Sequence, residues 1–342
     1  MRYVLRPLPA LQADLPRKRG RKGAYAFLPP LAEEVASREC GEPKGAWAAA
    51  IGACLGLLSL TASPSLAADT IPQLSGHWAK TNFNLEQPAD GPAFIVNTLK
   101  KADGTLNDDL ARVGDITNSL LTPLAAQILK EHGEFSRTGQ SIPDPHNQCR
   151  LEAPPFTITI QVEILLLQTK DEVRIASVNG HHVRRVRMNA QHGTVPKLQG
   201  DSVGHYEGDT LVVDTTLIKP SPWPVLDRYG TPHSDQLHVV ERYRLIDGKE
   251  AADAIRKHRR EFNTNDAIPK FDIYGAEFDT DLSKKGLQVE ITVDDPKMFT
   301  KPWKGLATYR PATTWPEMSC SESTHEITGP DRQVPMADKP DF

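Results

Sequence analysis

The sequence predicts a mainly β protein, with an antiparallel barrel or sandwich of about eight strands. Apolar and polar residues alternate with the period of a strand in several runs, most clearly at residues 157–164 and 287–293. Tight-turn signals such as Asn179-Gly180 and Glu207-Gly208-Asp209 separate successive runs. Short turns favour an antiparallel sheet, and closing that sheet into a barrel or sandwich removes its exposed edges.

The N-terminal part of the chain predicts export from the cytoplasm. Residues 46–60 contain no charged residue, a lysine precedes them, and the small residues Ser65 and Ala67 suit a cleavage site. A spanning helix needs about 20 apolar residues, and Pro64 interrupts the segment too early for that. We therefore expect residues 1–67 to be an N-terminal extension and signal peptide. The mature protein would then be periplasmic or secreted, without stable membrane insertion.

Two other interpretations of this segment stay open. The apolar run also fits a buried core helix, and Ile51-Gly52-Ala53-Cys54 looks like a lipoprotein acylation box. A basic run at residues 17–22 could bind nucleic acid or a membrane surface. Because it precedes the export signal, it would be removed together with that signal.

Charge and cysteine content narrow the function classes. The whole chain has a formal net charge of -4, and residues 1–67 hold nine Lys or Arg and five Asp or Glu, so the mature chain carries -8. This acidic balance argues against general nucleic-acid binding. Cys149 and Cys320 remain after cleavage, and in an oxidising compartment they most simply form one disulfide, with two free buried thiols as the alternative. No metal site and no cofactor are predicted.

Residues 68–150 form a loop-rich segment that we expect to wrap around the sheet. Turn-forming pairs of Asp, Gly and Pro punctuate this segment throughout. Residues 74–78 predict a first short strand. Thr122 followed by Pro123 predicts the start of a helix, because the threonine can cap it and proline suits its first position.

Residues 151–325 hold the predicted antiparallel β domain. Its strands are expected at residues 157–167, 173–178, 182–188, 203–206, 210–216, 237–245, 287–293 and 306–309. The long connection 247–286 is predicted to be an insertion with a helix at residues 250–262. Residues 326–342 are predicted to form a flexible tail.

Histidines are concentrated in the middle of the β domain, where they suggest acid–base chemistry. Those between the predicted third and sixth strands are His181, His182, His192, His205, His233 and His238. We interpret His205, His233 and His238 as candidate general acids or bases. The carboxylates that neighbouring strands could bring to them are Glu207, Asp214 and Glu241. Zinc held by three histidines, and histidines with only structural roles, remain alternatives.

Glu241 is predicted to point toward the apolar side of its strand, because it shares a face with Val239 and Tyr243. An inward carboxylate must be paired or have a shifted pKa, and Arg185 or Arg187 on the third strand is the expected partner. A buried ion pair and a polar anchor inside a ligand cavity fit this pattern equally well. We group Glu241 with the catalytic histidines. The candidate ligand-binding residues are Arg185, Arg187, Glu207, Asp214, Arg242 and Tyr243.

Three tracts carry a resemblance to an uncharacterised family of secreted bacterial proteins. They read GDSVGHYEGDTLVVDT from Gly200, GTPHSDQLHVVERYRL from Gly230, and VEITVDDP from Val289, the last followed by Pro-Trp. An early Ser-Gly-x-Trp and cysteines at Cys149 and Cys320 are also similar to the family. The resemblance implies a secreted β-rich domain and supplies no catalytic residues; the insertion 247–286 departs from the pattern. The Gly-x-Trp start and the strand count are also similar to lipocalin-like barrels, a likeness at fold level.

These patterns lead to one expected function and two alternatives. We expect the protein to bind a small, partly apolar molecule in the mouth of a β-barrel. A hydrolase or lyase that uses a histidine and a carboxylate in the same pocket is the first alternative. An envelope interaction protein without a pocket is the second. The expected partner is a small-molecule ligand or substrate.

Overall fold

The computed structural model describes residues 71–81, 84–89, 114–138, 140–160, 163–178, 182–221, 223–261, 267–272 and 275–315. The chain divides into two compact units, Met1–Pro64 and Ser65–Phe342, and all described residues belong to the second. The predicted export signal, the Asn179-Gly180 turn, Cys320 and the predicted tail lie outside the described residues. Signal cleavage, the disulfide and the tail therefore stay predictions.

Nine strands form a closed barrel, in which each strand pairs with the next and the last pairs with the first. The strands are β1 Gly76–Ala79, β2 Glu163–Gln168, β3 Glu172–Ser177, β4 Val183–Met188, β5 Asp201–Glu207, β6 Thr210–Thr216, β7 His238–Ile246, β8 Gly286–Asp294 and β9 Trp303–Pro311. The prediction of a mainly β protein with a closed sheet is confirmed. The strand count is nine, so the prediction of about eight is corrected.

One pair of neighbouring strands is parallel, which corrects the prediction of a wholly antiparallel sheet. β4 and β5 align Val186 with Ser202 and Met188 with Gly204 in parallel register. The other eight neighbouring pairs are antiparallel. A parallel pair needs a connection that carries the chain back along the sheet, and residues 189–200 do this.

Three helices lie outside the sheet in the described part of the chain: α1 Pro123–Arg137, α2 Phe156–Ile160 and α3 Gly248–Glu261. The start of α1 was predicted correctly. Thr122 caps it by accepting a hydrogen bond from Ala125 N at 3.2 Å, and proline occupies its first position. α3 lies within the predicted insertion.

The short helix α2 occupies residues that were predicted to begin a strand. All five of its side chains are buried, so its alternating threonines and isoleucines do not separate an inner face from an outer face. Backbone bonds from Thr157 N to Ala153 O and from Ile158 N to Pro155 O close the helical turn. Strand periodicity fails as a signal here because burial on all sides removes the contrast between faces on which it depends.

The insertion that contains α3 is held to the barrel by close packing and by one arginine. A Cβ added at Gly286 would lie 2.4 Å from Ala251 Cβ, so glycine allows α3 to approach β8. The Arg310 side chain on β9 is 1% exposed. It donates hydrogen bonds to four backbone oxygens, those of Gly248, Asp279, Asp281 and Lys284. These bonds join both ends of the insertion to the barrel.

Apolar side chains fill the inside of the barrel. Alternate residues of β7 and β8, such as Val239, Val289 and Ile291, are fully buried in one core shared with the other strands. Ligands of the predicted kind would therefore meet packed side chains in the middle of the barrel. Among the described helices, none combines the length and the apolar character that a membrane span requires.

Candidate functional site

A buried ion pair crosses the inside of the barrel. Arg184 on β4 donates from Nη1 to Glu241 Oε2 at 2.6 Å and from Nη2 to Glu241 Oε1 at 2.8 Å. The Tyr243 hydroxyl donates to Glu241 Oε1 at 2.7 Å. Burial alone would lower the pKa of Arg184, but the neighbouring Glu241 carboxylate raises it overall. Burial also raises the pKa of Tyr243. The arginine is thus held charged and the tyrosine neutral.

Glu241 points inward as predicted, but its partner is Arg184 and not Arg185 or Arg187. Side chains alternate along β4, so Arg184 lies inside while its two arginine neighbours point outward. Arg185 pairs with Glu172 on the outer side, and Arg187 donates to Asp201 Oδ2 at 2.7 Å. The two arginines predicted to bind a ligand are therefore engaged in ion pairs away from the interior.

The outer face of β6 and β7 holds a carboxylate between two histidines. Asp214 Oδ1 lies 2.9 Å from His192 Nε2, and Asp214 Oδ2 lies 3.0 Å from His238 Nε2. The hydrogen bond with Asp214 raises the pKa of His238, and the same bond lowers the pKa of Asp214. Each partner thus stabilises the charged form of the other.

The remaining predicted histidine–carboxylate pair is exposed. His205 Nε2 lies 3.0 Å from Glu207 Oε1, and Arg242 Nη2 donates to Glu207 Oε2 at 2.7 Å. The His205 side chain is 50% exposed. Ion pairs in such positions are screened by water and stabilise a fold only weakly.

The structure therefore does not bring the predicted catalytic residues together. Glu241 and Tyr243 lie inside the barrel, whereas His205 and His238 lie on its outer face. Strand alternation separates them, because His238 and Glu241 are an odd number of positions apart on one strand. His233 belongs to neither group, since it lies in the connection before β7.

His233 lines a small, open cleft beside one end of the barrel, whose lining residues are mostly apolar. Three connections supply most of its wall: those between α1 and α2, between β4 and β5, and between β6 and β7. Ten of the thirteen lining residues are apolar, and the polar ones are Lys219, Ser221 and His233. Leu151 stands at the cleft with 47% of its surface exposed.

The contacts of His233 favour one tautomer and the uncharged form of its ring within this cleft. Its Nδ1 lies 3.0 Å from the backbone oxygen of Ser234, which can only accept, so Nδ1 carries the proton. Burial lowers the pKa of His233, which favours the neutral ring with Nε2 as an acceptor. Asp295 fixes the next residue by accepting from Ser234 N at 2.6 Å and from Ser234 Oγ at 2.7 Å. A neutral acceptor is thus positioned in apolar surroundings.

Sequence reasoning found His233 but not the rest of the cleft. Pro145, Leu151 and Leu198 lie in connections, where no periodicity marks which side chains come together. Lys219 follows β6 and carries no motif. The sequence did contain one signal, the apolar residues and prolines within the loops. Apolar side chains in a loop usually pack against the protein or form a binding surface.

In the described residues, no group of three or more His, Cys, Asp or Glu side chains has an arrangement that could hold a metal ion. Comparison with known proteins finds no matching family model, no matching curated protein and no matching solved structure. The resemblances drawn from the sequence tracts therefore stay expectations, and the site must be argued from its own geometry.

Proposed function

We propose that this protein is exported and binds a small carboxylic acid with an apolar body in the cleft beside the barrel. The single observation that carries the proposal is the cleft itself, lined by ten apolar residues and three polar ones. Small-molecule sites are typically concave and mostly apolar, with a few placed polar groups. The cleft shares these features on a small scale.

The three polar residues indicate the chemistry of the ligand. Lys219 offers a positive charge to an anionic group such as a carboxylate. The neutral His233 ring offers an acceptor to a hydroxyl or amide N–H of the ligand. Apolar walls contribute about 25 cal/mol for each Å² of apolar surface they remove from water. An aromatic or branched aliphatic acid with one hydroxyl group matches all three features.

The proposal moves the binding site from the barrel mouth of the expectation to the connections outside it. Inside the barrel, both oxygens of Glu241 already accept hydrogen bonds from Arg184 or Tyr243. A ligand there would have to displace one of these partners. In the cleft, no such pair has to be broken.

The test is direct binding of a panel of aromatic and aliphatic hydroxy acids, matched with their uncharged amides, by calorimetry. Acids should bind more tightly than amides, and Lys219→Gln should abolish that difference. Leu151→Asp should weaken binding at least about tenfold, equal to about 1.4 kcal/mol. Lys249→Gln and Leu282→Asp are matched controls, because both are exposed and lie outside the cleft.

The same incubations distinguish the alternatives. Mass spectrometry of the ligand after incubation would reveal a product if the cleft belongs to a hydrolase or lyase. Failure of the whole panel to bind would contradict the proposal and favour an interaction protein without a pocket. Equal losses in Leu151→Asp and Leu282→Asp would also contradict it, because the effect would then not depend on the cleft.

A further inference from the structure

The outer face of β2, β3 and β4 carries arginines next to exposed aliphatic side chains. Side chains alternate along these strands, so every second one points away from the barrel core. In the register of the sheet, Leu167 lies opposite Arg174, and Arg174 lies opposite Arg185. We call this surface the outer patch, and its members are Leu167, Glu172, Arg174, Val183, Arg185 and Arg187.

The cations of the outer patch are more exposed than the carboxylates with which they pair. The Arg174 and Arg185 side chains are 57% and 66% exposed, whereas that of their shared partner Glu172 is 11% exposed. Arg187 is 35% exposed, and its partner Asp201 is 4% exposed. Solvent therefore meets guanidinium groups across this face. Three arginines and two carboxylates give it a net charge of +1, opposite in sign to the whole chain at -4.

Two of these arginines keep most of their hydrogen-bond donors available. Arg174 Nε donates to Glu172 Oε1 at 2.6 Å, and Arg185 Nε donates to Glu172 Oε2. Among the described residues, no acceptor bonds to Nη1 or Nη2 of either side chain. The N–H groups of a guanidinium match the oxygens of a phosphate group in geometry. Both arginines can thus bind phosphate oxygens while they stay paired with Glu172.

The aliphatic side chains of the outer patch lie close to these arginines. Leu167 on β2 is 47% exposed, and Val183 at the start of β4 is 49% exposed. Val183 and Arg185 point outward from the same strand, two positions apart. Cations beside exposed aliphatic groups are the combination that binds an anionic lipid surface, where charge attracts the headgroups and apolar area enters the boundary beneath them.

The shape of this face favours a surface as its partner. The barrel is closed, so its outer face is convex and its strands are each paired on both sides. Small-molecule sites are concave, and an extended peptide adds to a free strand edge. The outer patch offers neither a concave wall nor a free edge. Charge complementarity and apolar exposure together therefore favour a phospholipid surface.

We propose that the outer patch docks this protein onto membranes that contain anionic phospholipids. The Nη groups of Arg174 and Arg185 bind lipid phosphate oxygens, and Leu167 and Val183 contact the boundary between headgroups and acyl chains. The docking is peripheral and reversible, because so few cations and aliphatic side chains do not anchor a protein permanently. It is independent of the ligand proposed for the cleft, since none of these residues lines that cleft.

The experiment is co-sedimentation of the mature protein with vesicles of phosphatidylglycerol and phosphatidylcholine in equal parts, and with vesicles of phosphatidylcholine alone. We expect binding to the anionic vesicles at about 50 mM salt and its loss at about 500 mM, because salt screens the attraction. Each cation near such a surface contributes about fivefold in affinity. Arg174→Gln combined with Arg185→Gln should therefore lower the partition constant about 25-fold.

Two sets of variants separate the outer patch from general effects of charge and folding. Arg244→Gln is the matched control, because Arg244 lies on the distant strand β7, is 49% exposed and also has polar partners; it should change binding less than about twofold. Arg174→Lys with Arg185→Lys keeps both charges and should retain most of the binding. Leu167→Asn with Val183→Asn should weaken binding, whereas Leu282→Asn, at another exposed leucine, should not.

Four results would overturn the proposal. The first is equal binding to both kinds of vesicle, and the second is an equal loss in Arg244→Gln and in the double Gln variant. The third is a loss in the double Lys variant as large as in the double Gln variant, because charge would then not be the cause. The fourth is binding of poly-glutamate or of inorganic phosphate without binding of vesicles, which would point to an acidic protein or a free anion.

Discussion

The ion pair inside the barrel allows the register of the sheet to be tested by substitution. Arg184→Met keeps an unbranched, flexible side chain and removes its charge. Glu241, which is 0% exposed, would then keep only the Tyr243 hydroxyl as a partner. Removing one member of a buried ion pair costs about 3–5 kcal/mol, because the other charge is left unpaired. For a domain of this size about 1 kcal/mol corresponds to about 2–4 °C, so we expect Tm to fall by about 10 °C.

Replacing both members should cost much less than the sum of the single substitutions. Arg184→Met combined with Glu241→Leu puts apolar groups where two charges were, and such replacements of buried pairs are often close to neutral. Unfolding by urea, followed by circular dichroism, gives the free energy of unfolding for each variant. The interaction free energy of the pair should be about 3 kcal/mol in this double-mutant cycle.

Arg185→Met is the matched control. The Arg185 side chain is next to Arg184 in the sequence but points outward, is 66% exposed and pairs with Glu172. We expect its Tm to agree with that of the unaltered protein within the error of the measurement. The reasoning would be refuted if Arg184→Met and Arg185→Met had equal effects. It would also be refuted if the double variant lost as much stability as the two single variants together.

Two further predictions concern the protonation of His258 on α3 and the processing of the mature chain. Burial lowers the pKa of His258 to about 4 in the folded state, against about 6.5 when unfolded. Between these values the unfolded chain binds more protons than the folded one. The free energy of unfolding therefore falls as the pH drops from 6.5 to 4. The loss should be about 3 kcal/mol in urea titrations and smaller in His258→Gln; equal losses in both proteins would contradict the assignment. The exported protein should begin at Ala68 and contain a peptide joining Cys149 to Cys320 in an unreduced digest. A longer N-terminus or two alkylated thiols would be evidence against the predicted processing.

The interior of the sheet could be predicted wherever alternation was unambiguous. On β7 the pattern correctly placed Glu241 with Val239 and Tyr243. On β4 arginines occupy both faces, and the choice of Arg185 or Arg187 as the partner was wrong. Val186 and Met188 share a face with Arg184 and are buried, so the apolar residues of β4 contained the signal that identifies Arg184.

The cleft could not be predicted, for a different physical reason. It is formed where segments far apart in the sequence meet, and loops have no period that relates one side chain to another. The parallel pairing of β4 with β5, which alternation does not reveal, also hides the cleft from a sequence reading. It requires residues 189–200 to run back along the sheet. Leu198 reaches the cleft through that connection. A short antiparallel hairpin at the same place would not carry it there.

Binding is proposed outside the barrel because the barrel interior is filled by packed side chains, whereas the connections at its end leave an open cleft. A ligand that entered the interior would have to replace hydrogen bonds to Arg184 or Glu241, and an unpaired charge there costs about 3–5 kcal/mol. A ligand in the cleft meets apolar walls and a neutral His233, so it does not have to separate a buried pair. Connections on a rigid scaffold can also change in sequence without disturbing the core. We therefore expect substitutions at Lys219 to alter binding and leave stability unchanged, and substitutions at Arg184 to do the reverse.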